Sequence, residues 1–282
     1  MNRILLISIL LLNFALFSQE NDLDDQIDVG IELYGEGNKE KALKVWKKIE
    51  KKAKKNSSTY ATTLRNIIYY YSEKGDESNL LGYYNKLINS NVNDKDKNNK
   101  LGDPFKNYRY HSTMSLASYY AKNGEFSKAI EYVEIADKDI KYETSSLTAF
   151  IFQKVDLAFW KYRLYNDLDN PEKAISVLIE RAFEYNYKNM YPDWATRSES
   201  TSEQELSETI YSEIEKPEKL KSDIDSVIKN LTLDKTKDQI IFNLRGFEYK
   251  IELYQKIESQ EKCEEYLKNS FFYNFLKAKI NE

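Results

Sequence analysis

The residues best suited to chemistry in this 282-residue sequence stand alone. His111 is the sole histidine and Cys263 the sole cysteine. One imidazole and one thiol exclude a Cys/His zinc site, which needs four such ligands, and exclude an intramolecular disulfide. A nucleophile–histidine pair would have to use His111, and helical spacing gives it no specified partner. Gly35-Glu36-Gly37 lacks the third glycine and the preceding strand of a dinucleotide turn. No Gly-Lys-Ser/Thr phosphate cradle and no G-x-S-x-G nucleophile turn is present. Asp94, Asp96 and Asn98 alternate like the start of a calcium loop. Asn99 takes the place of the required glycine, however, and Phe105 that of the bidentate glutamate, so the segment reads as a solvated linker. Among 46 acids no carboxylate pair is singled out. The runs Tyr69–Tyr71 and Tyr119–Tyr120 offer rings on which a sugar could stack, or filling for a helical core. Cys263 reads as a small apolar residue on a C-terminal helix face. No motif calls for a cofactor or a metal.

The elements that must carry these residues are helices. With only 8 Gly and 4 Pro, the chain has long stretches without breakers. Its 42 Lys+Arg against 46 Asp+Glu leave a net charge of -4, no excess with which to neutralise nucleic-acid phosphates. Amphipathic stripes recur at spacings of three and four. They run through Ala42, Trp46, Ile49 and Ala53, then Phe126, Ala129, Ile130, Val133, Ala136 and Ile140. A third follows Pro217, through Leu220, Ile224, Val227, Ile228 and Leu231. Further stripes are Ile240, Leu244, Phe247, Ile251 and Tyr254, then Leu267, Phe271, Phe275 and Ile280. Asn170 before Pro171 predicts a helix start, and Ser202 with Glu205 a capping box. No period-2 run of β-branched residues is evident, so no sheet is expected.

The amino terminus reads as an export signal. Arg3 precedes an apolar run from Ile4 to Phe17, and Ser18-Gln19-Glu20 and an acidic stretch follow. That run is shorter than the roughly 20 residues a membrane-spanning helix needs and suits a cleaved signal peptide. The expected organisation is a signal peptide at 1–19, helical hairpins at 20–90, a linker at 91–104 and hairpins at 105–187. A second linker at 188–201 and C-terminal helical hairpins at 202–282 complete it.

An internal repeat is the strongest pattern. From Ala117 come Tyr120, the turn Gly124, Ala129, Val133 and Ala136. The register returns as Gly30, Leu33, Gly37, Ala42, Trp46 and Ile49. It returns again as Ile68, Tyr71, Gly75, Leu80, Tyr84 and Leu87, and as Tyr162, Tyr165, Asp169, Ala174, Leu178 and Arg181. Glycine at the turn tolerates the positive φ of a reversal. A small residue after it lets an antiparallel second helix approach, and each hairpin leaves an apolar face for its neighbour to cover. The register resembles the tetratricopeptide repeat (TPR) family over about Asp24–Glu184, without the closing proline. Equivalent residues Ala42, Leu80, Ala129 and Ala174 lie 38, 49 and 45 apart, against about 34 in the family. The fold class expected is therefore all-α, antiparallel hairpins stacked as an irregular TPR-like solenoid.

The resemblance implies a scaffold, not an enzyme, that binds a protein or peptide on the concave face lined by the first helix of each hairpin, and with the amino-terminal signal the expectation is an exported bacterial protein. Residues flanking the structural aromatics would project from it: Arg65, Tyr69, His111, Met114, Ser118, Lys122, Asp156, Phe159 and Arg163. Arginine and lysine could pair with peptide carboxylates, and Tyr69 and Phe159 could hold apolar side chains. Two alternatives are a secreted carbohydrate-related helical enzyme or glycan-binding component using the tyrosines, and a purely architectural subunit of an envelope complex. Neither nucleic acid nor, after signal removal, membrane insertion is expected.

Overall fold

A computed structural model describes residues 22–95, 104–184, 201–214, 216–253 and 256–281. The expected signal peptide and most of the 188–201 linker lie outside them. The chain divides into two compact units, 1–146 and 147–282.

In the first unit three helical hairpins follow one another. They are α1 (22–35) with α2 (Lys39–Lys52), α3 (Ser58–Lys74) with α4 (Glu77–Ile88), and α5 (Tyr108–Lys122) with α6 (Phe126–Ile135). A π turn, Ala136–Ile140, extends the last. The second unit opens with a fourth hairpin, α7 (Leu147–Asp167) and α8 (Pro171–Glu184). All four reversals share one hydrogen-bond pattern. The turn residue has positive φ: Gly37 at 83°, Gly75 at 77°, Gly124 at 75° and Asp169 at 55°. The next N–H reaches back to the carbonyl of the register's aromatic or leucine, as Asn38 to Leu33, Asp76 to Tyr71, Glu125 to Tyr120 and Asn170 to Tyr165. The carbonyls of Asn38, Asp76, Glu125 and Asn170 then start the second helices by accepting from the N–H groups of Ala42, Leu80, Ala129 and Ala174. This is the closure that satisfies orphan carbonyls at a helix end, joined directly to the next helix. These hairpins are TPR-like.

Ring pairs twelve residues apart tie three of the hairpins shut: Tyr34 to Trp46 at 5.6 Å, Tyr71 to Tyr83 at 5.7 Å and Tyr120 to Tyr132 at 5.4 Å. A Cβ on Gly30 would stand 2.8 Å from Trp46 Cδ1 and closer to Nε1, so α1 approaches α2 only because that position is bare. Neighbouring hairpins are then joined through acids. Glu40 accepts from Tyr70 and, at 3.1 Å, from Lys74; Glu77 accepts from Tyr120 at 2.8 Å. Both acids sit in the first turn of a helix, where the helix dipole favours negative charge.

The described chain is mainly helical, as expected, and the C-terminal part adds one small sheet where none was expected. After α9 (Thr201–Glu213) and α10 (Pro217–Ile228) come three antiparallel strands, β1 (Thr232–Asp234), β2 (Gln239–Leu244) and β3 (Phe247–Glu252), in the order β1-β2-β3. The helical stripe expected through Ile240 and Ile251 is a β-hairpin. Arg245 and Gly246, with φ of 53° and 88°, form the two-residue turn that suits the right-handed twist of paired strands. Ile240, Phe242, Leu244, Tyr249 and Ile251 are buried, while Asn243, Glu248 and Lys250 face water. Two helices finish the unit, α11 (Gln260–Lys268) and α12 (Phe271–Asn281). The stripe expected through Phe271 and Phe275 is displaced by one residue. The hydroxyl of Ser270 accepts from the Tyr273 N–H at 3.1 Å and restarts the helix, so Phe272 and Leu276 are the buried pair. Ser202 falls inside α9 and is not its cap, whereas the Asn170 side chain does cap α8, accepting from the Lys173 N–H at 3.2 Å.

Candidate functional site

The first unit presents a surface made by α3 and α5, which pack side by side. Each helix is held at its start. Ser57 accepts from the Tyr60 N–H at 3.2 Å to begin α3. Asp94 accepts from the Tyr108 N–H and from the Arg109 guanidinium, both at 2.7 Å, and so begins α5 from a distance. Arg109 in turn donates to the carbonyls of Ser90 and Val92. Asp94 is therefore a structural anchor. That part of the expected linker is tied to the fold; residues 96–103 lie outside the description. Across the two helices, Ser72 donates to the Ser115 carbonyl at 3.3 Å and Thr62 to the Tyr108 hydroxyl at 3.4 Å.

Helical spacing puts Thr62, Arg65, Asn66, Tyr69 and Glu73 on one stripe of α3, and His111, Met114, Ser115, Ser118 and Lys122 at the equivalent places of α5. Six of the expected residues thus fall on one pair of helices. Tyr69 is half exposed; His111 and Lys122 are exposed; Arg65, Met114 and Ser118 are partly covered. Arg65 lies over the Tyr108 ring at 5.9 Å. His111 meets Tyr110 edge to face at 5.5 Å. The Tyr110 and Tyr142 rings strip water from one side of its imidazole although the residue as a whole is exposed, and this loss of hydration, then the charge of Arg65, hold it below its ordinary range against the pull of Asp94.

Three contributors escaped the sequence reading. Asn66 is the first: its side-chain Nδ2 is buried and, among the described residues, has no hydrogen-bond partner. Its position one residue past Arg65 and three before Tyr69 was the available signal. Glu73 is the second. It accepts from Tyr34, from Lys39 at 2.9 Å and from Tyr69 at 3.3 Å, which fixes the Tyr69 ring. Tyr34 is the third, set against Tyr69 at 5.8 Å. The other tyrosines of the two runs do not form a stacking platform: Tyr70, Tyr71, Tyr119 and Tyr120 are buried.

The remaining expected residues lie on α7 of the second unit. Asp156 is raised by burial, partly offset by Arg163. Phe159 is partly buried against that unit's core, whereas Phe152, two turns earlier on the same stripe, is 63% exposed. Arg163 lies over the Trp160 ring at 5.9 Å. Cys263 is buried, and burial pushes its thiol up, away from reactivity. Among the described residues no group of His, Cys, Asp or Glu is placed to hold a metal ion, and no helix is long and apolar enough to cross a membrane.

No family model and no curated protein sequence matches the chain. Among solved structures it is similar to TPR-like repeats attributed to a kinesin light chain of Podosopora anserina, at 15% identity and a TM-score of 0.44. That likeness covers 69% of this chain and 86% of the other. A single-substitution variant of the same protein gives 14% identity and the same TM-score over 69% and 85%.

Proposed function

We propose that the chain is an exported scaffold that holds a protein partner by a peptide segment laid across α3 and α5. The observation that carries this reading is the side-by-side packing of α3 and α5, which gathers Arg65, the half-exposed Tyr69, His111 and Lys122 on one surface. Arg65 can pair with an acidic side chain and Tyr69 can cover an apolar one. Export rests on the pattern of Met1–Glu20 alone.

The test is recovery of one stoichiometric protein from envelope fractions with the wild-type chain. Arg65→Glu is expected to abolish that recovery while leaving the unfolding midpoint unchanged, because the side chain is only partly covered. Binding to a glycan array with no protein partner would overturn the reading in favour of carbohydrate recognition. Loss of an assembly on removing α11 and α12, with Arg65→Glu silent, would favour the architectural role.

A further inference from the structure

The first hairpin has its repeat neighbours on one side. On α1, Asp24 accepts from Thr59 at 2.7 Å and Tyr34 meets Tyr69, so that side of the helix faces α3. On α2, Glu40 turns to Tyr70 and Lys74, and Glu50 to Lys86 at 2.8 Å, so that side faces the second hairpin. At about 100° per residue, the opposite sides carry Asp22, Asp25, Val29 and Glu32 on α1, and Lys41, Val45, Lys48 and Lys52 on α2. A terminal repeat needs a polar outer face to stand alone in water. The centre of this face is apolar instead. Val29 is 49% exposed, and Val45 and Leu33 beside it are only partly covered.

The charges around the valines are sorted by helix. Asp22, Asp25 and Glu32 are exposed on α1, and Lys41, Lys48 and Lys52 on α2. On the flanks, Asp28 and Glu36 beside α1, and Lys44 and Lys51 on α2, keep the same signs. The ion pairs of α2 among the described residues, Lys39–Glu73, Glu40–Lys74 and Glu50–Lys86, all run toward the second hairpin. The acids of α1 are therefore not engaged with the lysines of α2. Acids and lysines nearly balance over the hairpin, so the face selects neither a polyanion nor a polycation. What it complements is its own pattern.

The reversal at Gly37 sets the levels. Val29 and Val45 lie equally far from it along the chain, as do Asp22 and Lys52; Asp25 and Glu32 fall within one residue of the levels of Lys48 and Lys41. A two-fold axis parallel to the helices lays this face on its own copy with α1 over α2, valine on valine and each acid on a lysine. A two-fold across the helices would set acid on acid.

We infer that the outer face of the first hairpin binds a second copy of this chain, α1 of each copy against α2 of the other. Val29 and Val45 form its centre, and Asp22, Asp25 and Glu32 pair across it with Lys52, Lys48 and Lys41.

Two helices of this length make a face of about 21 by 20 Å, so the two copies together bury about 800 Å², the size of a transient interface. Sedimentation velocity of the full chain over a concentration series is expected to show a reversible monomer–dimer equilibrium that salt weakens. Asp25→Lys with Glu32→Lys sets lysine against lysine, and Lys41→Glu with Lys48→Glu sets acid against acid. All four side chains are exposed, so the fold is kept. Each variant alone is expected to dimerise at least about tenfold less well, because four pairs across the interface become repulsive. Mixed in equal amounts, the two variants are expected to associate to within about threefold of wild type, since every acid again meets a lysine. Arg65→Glu is expected to leave dimerisation unchanged, which separates this face from that of α3 and α5. The inference falls if the chain stays monomeric throughout, as it would if residues 1–21 covered this edge. It falls equally if the charge variants dimerise like wild type, or if their mixture fails to associate.

Discussion

In the first unit the joints between hairpins run through polar groups. Tyr70 and Lys74 reach Glu40, Tyr120 reaches Glu77, and Tyr34, Lys39 and Tyr69 reach Glu73. In the second unit one apolar cluster does most of the joining. Phe183 on α8 is fully buried and meets Phe242 of the sheet at 5.9 Å and Phe272 of α12 at 5.4 Å, each edge to face. The second unit uses the polar device too, where Lys221 and Tyr273 hold Asp225 and where Arg245 reaches Asp223. The difference follows from what each hairpin has to hide. A repeat covers its neighbour with a narrow stripe and completes the contact with hydroxyl–carboxylate bonds, each worth about 1 kcal/mol net. A sheet packed against helices buries whole side chains, and losing one is several times as costly.

That contrast is broken most severely at Phe183. Phe183→Ala removes a fully buried ring at the junction of helix and sheet and is expected to destabilise the second unit by about 3–5 kcal/mol. Hydrogen exchange should rise in peptides from 147–282 first. A loss below about 1 kcal/mol would mean that the cluster is not what joins sheet to helices. The next largest effect belongs to the first unit. Gly30→Ala drives a methyl into the indole of Trp46, which is 2% exposed and has no room to turn. Overpacking of this kind costs about 1–3 kcal/mol, and tryptophan emission together with exchange in peptides from 22–52 would report it. A neutral outcome would show that α1 and α2 are not closely apposed there.

The two units were not equally legible in the sequence. Gly37, Gly75, Gly124 and even Asp169 mark the reversals because positive φ is a demand few residues meet, so a repeat of turn residues is a repeat of geometry. The sheet was hidden because Ile240, Leu244, Phe247 and Ile251 satisfy a helical period as well as an alternating one. Phe242 and Tyr249 decide between the two. A helix would leave them off the stripe, whereas both are buried and paired across β2 and β3. Arg245-Gly246 was the signal, two turn residues between runs rich in isoleucine, phenylalanine and tyrosine. On the candidate surface, Arg65, Tyr69 and His111 followed from the register. Asn66 did not, since an unmet hydrogen bond is visible only once its surroundings are known.

The smallest effect tests whether the polar joints matter at all. The hydrogen bond from Tyr34, then that from Lys39, lower Glu73 from its ordinary 4.5, and Tyr70 and Lys74 do the same for Glu40. A carboxylate lowered in the folded state contributes stability that is complete above its unfolded value and is lost as pH falls through the folded one. The first unit should therefore weaken on acidification between about pH 5 and pH 3. Glu73 and Lys39 keep 29% and 50% of their side chains in water, so the share of this one joint is screened to about 0.2–1 kcal/mol. Glu73→Gln retains an acceptor for Tyr34 and removes the titration. Its stability, followed by exchange in peptides from 22–95, should be slightly lower than wild type at neutral pH and should fall less steeply with acid. Parallel acid slopes in the two proteins would mean that the Tyr34–Glu73–Lys39 joint adds nothing beyond the ring contacts beside it.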